Sequence, residues 1–342
     1  MHARVLIVCT ALAGLAGMSI AFTQTLPAAS VDGLVSAAKN AAGLEWPGTF
    51  LRLCVAPPRT AGRGAVANAT PAGRGAAANA APAGPPARSA WYAEPAKVAD
   101  NFYFLGTRIH NAWALVGSEG IILFEALFDY AAPDEIADGM RKLGLDTNRV
   151  KYVVISHAHG DHDGGARFLQ DKMPAAHMIY GGPDWDAADK STNRPGGKPK
   201  HDMVGSDGMR LSVGDTSVQI VTTPGHTAGT LSFLFEVKDS GRPLRIAYVG
   251  GTAIPFDGTA AYYDTYIASV RKMAKAAADF GATAMLSNHT EFDNAYYKAH
   301  TAANRKPGEA NPFDVGRAAV ARYFTVVEEC TTAAKLRASA GQ

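Results

Sequence analysis

Strand-length apolar runs alternate with helix-length amphipathic segments in both halves of the chain, which predicts a mixed α/β (α+β) fold with sheets covered by helices on their outer faces. Three observations carry that reading. Short β-type runs at 101–105, 112–116 and 121–124 are broken by Gly106, Gly117 and Gly120. A continuous apolar run at 150–156 has strand length and the composition of a strand buried on both faces. Apolar residues at helical spacing recur at 263–280 and 315–334.

The elements follow in order along 342 residues, long enough for one large domain or two small ones. Residues 1–21 read as a signal peptide. His2 and Arg4 give a weakly basic start, an apolar run fills 5–17, and Ser19-Ile20-Ala21 has the small-x-small form of a cleavage site. That run is shorter than the roughly 20 residues a membrane span needs, and an uncleaved anchor is the alternative. The mature chain is expected to be periplasmic or secreted, with no membrane contact once the signal is removed. Residues 22–55 form an N-terminal segment in which 31–54 contains a short helix, with Val31, Leu34, Val35 and Ala38 on one face. Residues 56–89 are a linker of Ala, Gly, Pro, Arg and Asn, with an imperfect eleven-residue repeat at 61–71 and 72–82. So few large apolar side chains cannot offset the entropy of ordering, and the segment is expected to be disordered.

The globular domain is expected to fill 90–342. After its first strands a helix starts at Pro133-Asp134-Glu135 and stops at Gly144. Further strands fall at 217–222, 230–237 and 244–249, and a short one at 283–287 lies between the two long helices. The formal net charge is +2 and no Lys/Arg stripe follows a phosphate backbone, which excludes nucleic acid as the expected partner. Of three cysteines, Cys9 leaves with the signal. Cys54 and Cys330 remain, either bridged in an oxidising compartment or as two buried thiols.

The chemistry is concentrated in Ser156-His157-Ala158-His159-Gly160-Asp161-His162-Asp163-Gly164-Gly165, directly after the 150–156 run. Residues two apart on extended chain point the same way, so His157 and His159 can grip one metal ion. Gly160 lets the chain turn so that Asp161 and His162 face a second. Imidazole and carboxylate are the donors zinc takes at catalytic sites. Gly164 and Gly165 leave room for backbone to pack against the site. Three His and one Asp within six residues fit poorly with ordinary packing, because each would need a buried partner.

This His-x-His-x-Asp-His motif after an apolar strand resembles the signature of the metallo-β-lactamase superfamily. The resemblance continues in Pro224-Gly225-His226 and in Ser287-Asn288-His289 and covers about 101–289. It implies an αββα sandwich of two mixed β-sheets flanked by helices, and two Zn²⁺ ions. His157, His159 and His226 are the implied ligands of the first ion, and Asp161, His162 and His289 those of the second. It also implies a water shared by the two ions, with its pKa lowered toward 7, attacking a polarised carbonyl. Asp161 would act as the catalytic group that directs this water. His110, in a loop between two early strands, is a candidate substrate contact. His177, His201 and His300 lie in no matching motif.

The substrate reading turns on Gly250-Gly251-Thr252. Glyoxalase-type thioesterases, lactonases and many nucleases of the family carry a bridging Asp in the corresponding turn. Its absence points to β-lactamases, and the Asp/His/His second set resembles subclass B3. That subclass often holds the drug's carboxylate with serine hydroxyls just after this turn. Here only Thr252 precedes Ile254-Pro255, and Thr252 is the candidate substrate contact. The expected substrate is a small molecule, a β-lactam. A same-fold hydrolase of lactones or other esters is the alternative, and a non-catalytic metal-binding protein is a remote one.

Overall fold

The computed structural model describes residues 30–55 and 84–340. The signal peptide (1–21) and residues 56–83 of the linker lie outside the described residues. Among the described residues no helix is long and apolar enough to cross a membrane.

Two sheets form the centre. The first has the order β1 (Ala96–Ala99), β2 (Phe102–Phe104), β3 (Trp113–Gly117), β4 (Gly120–Phe124), β5 (Val150–Val154), β6 (His177–Gly181) and β7 (Met203–Gly205). The pairs from β1 to β4 are antiparallel and those from β4 to β7 are parallel. The second sheet has five strands, β8 (Arg210–Ser212), β9 (Ser217–Thr222), β10 (Leu231–Asp239), β11 (Arg242–Val249) and β12 (Ala284–Ser287), in the spatial order β12-β11-β10-β9-β8. Only its β11–β12 pair is parallel. Side chains alternate across each strand. Phe233, Phe235 and Val237 of β10 face Trp113, Ile122 and Phe124 of the first sheet in one buried inner core. The opposite faces, Ile121 and Leu123 on β4 and Leu234 on β10, are covered by helices.

On the first sheet that cover is a single π turn (Pro133–Ala137) running into α4 (Asp138–Lys142), with α6 (Ala166–Lys172) and α7 (Gly182–Lys190). On the second it is α8 (Ala260–Phe280) and α11 (Arg317–Ser339), joined by α1 (Val31–Ala42) and α2 (Pro47–Cys54). The chain is therefore an αββα sandwich of two mixed sheets.

The N-terminal segment packs onto this sandwich. Ser30 caps α1 by accepting from the Gly33 amide at 3.1 Å. Of the predicted face only Ala38 is fully buried, with Ala42 beside it, while Val31, Leu34 and Val35 are half-buried. The Trp46 indole donates to Ala319 O on α11 at 2.7 Å, and Cys54 is disulfide-bonded to Cys330. The Thr49 hydroxyl donates to Phe292 O at 2.6 Å, and Arg52 pairs with Glu291. Both acceptors lie on α9 (Thr290–Asp293), the turn immediately after His289.

Other expectations shift. The strand read at 150–156 is buried on both faces only toward its end, since Lys151 is exposed where it crosses Gly120. Arg88 and Ser89, read as linker, belong to a helical turn, α3 (Arg88–Trp91), held by an Arg88–Asp134 ion pair at 2.5 Å. Strands β1, β6, β7 and β8 and helices α6, α7 and α10 (Ala295–Ala303) add to the elements expected from the sequence.

Candidate metal centre

The named side chains converge at one rim of the sandwich, where β5, β9, β11 and β12 end. After β5 the chain bends at Ser156, Ala158 and His159, with His159 itself in a β conformation, and then turns into the short helix α5 (Gly160–Asp163). His159 O accepts from the amides of His162 and Asp163 at 2.8 and 2.9 Å, so the turn begins where Gly160 was expected to allow it. A Cβ on Gly164 or Gly165 would collide with neighbouring backbone, which explains both glycines.

Two donor groups result. In the first, His226 Nε2 lies 3.1 Å from His157 Nε2 and 3.1 Å from His159 Nδ1. In the second, Asp161 Oδ2 lies 3.3 Å from His162 Nε2 and 3.3 Å from His289 Nε2, and those two nitrogens are 2.9 Å apart. His110 stands in this second group, its Nε2 3.6 Å from Asp161 Oδ2. His110, Asp161 and His289 offer donor atoms within 4.8 Å of one another, as do His157, His159 and His226. The structure thus brings together all six predicted ligands.

Tautomers test whether these residues fit a cation. A carbonyl can only accept, so His157 Nδ1 donates to Gly250 O at 2.8 Å and His226 Nδ1 donates to Ala253 O at 2.7 Å. Both Nε2 atoms then present lone pairs to each other, an arrangement that makes sense around a shared positive charge. Three donors at about 2.0–2.1 Å from one ion in tetrahedral array are roughly 3.3–3.4 Å apart, close to the 3.1 Å seen here. The donor set fits zinc.

The electrostatics agree. Burial and neighbouring imidazoles lower the pKa of His157 and, to about 3, that of His226. Burial likewise lowers His159 and His162, leaving neutral rings with free lone pairs. At Asp161 burial opposes the charge, but His162 and His289 outweigh it and hold the carboxyl well below its usual range.

Residues that sequence reasoning passed over support the donors. Glu125, fully buried at the end of β4 with φ 69°, accepts from the Ser156 amide at 3.3 Å and the Tyr248 hydroxyl at 2.9 Å. Its other contact is His162 Nδ1 at 3.6 Å. Burial raises its pKa to about 8. Asp184, at the start of α7, accepts from the Ala158 and Gly229 amides and the Thr227 hydroxyl at 2.9, 3.0 and 2.8 Å, clamping the two loops that carry the first group. The Asn288 amide donates to Gly250 O at 2.8 Å. None of the three sits in a spacing that marks it. Only the strand ends before Glu125 and Asn288 gave any signal.

Both candidate substrate contacts are corrected. Thr252 is buried, its hydroxyl bonded to Ser287 Oγ at 2.8 Å and Tyr323 Oη at 2.9 Å beneath the site, so it does not face an incoming molecule. His110 is 8% exposed and sits among the second donors instead of at the mouth. Gly250 and Gly251 leave no room for a side chain. A Cβ on Gly251 would lie 2.6 Å from the Cβ of His226, and one on Gly250 would collide with Leu231 O.

A family model described as the metallo-beta-lactamase superfamily matches residues 105–239. The chain is similar to a hydroxyacylglutathione hydrolase of Gloeothece citriformis, 26% identical over 52% of this chain and 61% of the relative. It is also similar to the N-acyl homoserine lactonase AttM of Agrobacterium fabrum, 34% identical over 31% of this chain and 43% of the relative. The matches thus span roughly half of these relatives' lengths. Among solved structures, BJP-1, a subclass B3 metallo-beta-lactamase of Bradyrhizobium japonicum, superposes with TM-score 0.61 at 25% identity, covering 72% of this chain and 96% of that one. FEZ-1 metallo-beta-lactamase from Legionella gormanii shares the fold with TM-score 0.61 at 21% identity, over 72% and 97%.

Proposed function

We propose that this chain, which carries a metallo-β-lactamase superfamily domain, is an exported zinc hydrolase that opens the β-lactam amide. His157, His159 and His226 would hold one ion, and Asp161, His162 and His289 the second. When bound, the two ions supply an activated water and polarise the scissile carbonyl.

The chain's own residues do the rest. The Gly250 and Ala253 carbonyls fix the tautomers of His157 and His226, keeping their Nε2 lone pairs turned inward. Asp161, held ionised, offers an acceptor that orients the attacking water. Asp184 keeps the 157–163 and 226–230 loops at fixed separation, which favours a preorganised site.

The observation that carries the β-lactam reading is the closed Gly251 turn. There is no side chain at the position where the family's thioesterase and lactonase branches place a bridging carboxylate, and a Cβ would press on His226. One observation favours lactones or other esters instead. The Thr252 hydroxyl is turned into the core, which leaves this turn without a hydroxyl to hold a drug carboxylate. The curated relatives named above are thioester and lactone hydrolases by name. Steady-state hydrolysis of a penicillin, a cephalosporin, a carbapenem, a homoserine lactone and a glutathione thioester decides between the two. The β-lactam reading expects kcat/KM highest on one of the three drugs. A preference for the lactone or the thioester overturns it.

A further inference from the structure

We propose that His110 is a fourth protein donor to the second ion position, which makes that position a three-histidine, one-carboxylate set of His110, Asp161, His162 and His289. The inference rests on the two-ion reading above and adds a residue to it.

The placement of His110 is built into the backbone. Residues 109–111 run alongside the chain that carries His289, with His110 and His289 paired as an antiparallel bridge. The Asn111 amide donates to Asn288 O at 2.9 Å and the Thr290 amide to Ile109 O at 2.8 Å. Below, the Thr107 hydroxyl accepts from the Ile109 and His110 amides at 3.1 and 2.8 Å, closing a tight turn that aims the ring inward. The Asn111 side chain donates to Ser287 O at 2.8 Å, tying the loop to the end of β12. A histidine serving only to fill space would not need its position set from both sides by main chain.

The ring's surroundings point the same way. Phe128 stands edge-on to it at 5.1 Å between centroids, and the His289 ring lies at 5.0 Å. These leave the Nε2 edge turned toward Asp161 Oδ2 at 3.6 Å. That is too long for a hydrogen bond. It is close to the 3.3 Å that separates the same oxygen from His162 Nε2 and His289 Nε2. Three nitrogens ringed around one carboxylate oxygen at 3.3–3.6 Å fit donors sharing a cation better than a chain of hydrogen bonds. Imidazole-rich sets with one carboxylate suit zinc, cobalt or nickel better than magnesium or calcium.

The test uses the mature, disulfide-bonded protein stripped of metal, together with His110→Leu and His110→Asn, one keeping apolar volume and the other a polar side chain. Stepwise Zn²⁺ titration against a competing chelator gives a Kd for each equivalent. Removing His110 is expected to weaken the second equivalent by about ten-fold or more and to leave the first unchanged. The Co²⁺-loaded proteins are then compared by proton NMR, where each coordinated imidazole contributes one exchangeable, hyperfine-shifted N–H resonance. Both variants, loaded at saturating Co²⁺, are expected to lack one resonance of the native set. An unchanged second Kd, or a full set of resonances in the loaded variants, overturns the assignment of His110 while leaving the two-ion reading in place. A native protein that takes up no second equivalent overturns both. Circular dichroism of the metal-free variants confirms that each is folded.

Discussion

The two donor groups are built on different principles. His157, His159 and His226 come from only two loops, and main-chain carbonyls fix the rings of His157 and His226, while Asp184 clamps the loops together. The second group draws on three elements: α5, the end of β12 and the 105–112 loop. It also contains the only carboxylate among the donors, a charge that is stable in its buried place only when opposed by positive charge. The first group should therefore be robust to distant change and sensitive to crowding. The second should be sensitive to lost charge and to loosening of the elements that carry it.

The largest effect is expected where the second group is stripped of charge. Asp161→Asn keeps the size of the side chain but removes the anionic donor and the acceptor that orients water. We expect kcat/KM on the best substrate to fall on the order of 10²-fold or more, with the second zinc equivalent weakened and the first retained. Zinc stoichiometry and kinetics measured on the same preparation check this, with melting temperature as the control. An unchanged rate with two zincs bound would place Asp161 outside the site.

Crowding should break the first group. Gly251→Asp introduces a carboxylate into this turn, but its Cβ would press on His226. The expected outcome is at least about a ten-fold loss, or 1.4 kcal/mol in kcat/KM, with the first zinc equivalent weakened and no gain on thioesters. A gain on thioesters would mean that the turn opens at little cost.

Bracing of the second group is tested at the disulfide. Cys54 and Cys330 tie α2 to α11, and α2 contacts the turn after His289 through Thr49 and Arg52. Cys54→Ala with Cys330→Ala is expected to lower stability by about 2–4 kcal/mol, measured by urea unfolding. The second metal equivalent should loosen before the first. Non-reducing peptide mapping of native protein should show the bridge.

The smallest effect belongs to a residue remote from both groups. Burial raises the pKa of Glu135 to about 9, although its carboxylate accepts from the Ala93 amide at 2.8 Å. A carboxyl raised above its unfolded value favours the fold when protonated. Its contribution is fully present below about pH 4.5 and is lost as pH rises toward 9. Glu135→Gln should melt like the native protein near pH 4.5 and a few degrees higher at pH 8, with both metal equivalents unchanged. Equal melting at both pH values would contradict this.

What was legible in the sequence follows the same division. His157, His159, Asp161 and His162 were readable because donors crowded into six residues after an apolar strand fit little else. His226 and His289 were readable only through resemblance, since one histidine in a turn carries no spacing of its own. His110 was placed at the mouth, because nothing local says that its loop is laced to the end of β12. Thr252 was read as facing substrate, since a hydroxyl's direction depends on partners such as Tyr323, 71 residues away. The long helices and longer strands showed their period. Three-residue strands such as β7 and β8 are too short to have one. For the α1–α2 segment the sequence offers one link to the domain, the pair Cys54 and Cys330, and the low-complexity stretch after it hides its other partners on α9 and α11.

The most direct measurement is metal content coupled to turnover. Mature protein purified without added metal is analysed for zinc and assayed, then stripped with chelator, assayed again and reloaded. The account predicts close to two equivalents of zinc, loss of hydrolysis on stripping and its return as the second equivalent is restored. Full hydrolysis by the stripped protein would contradict it.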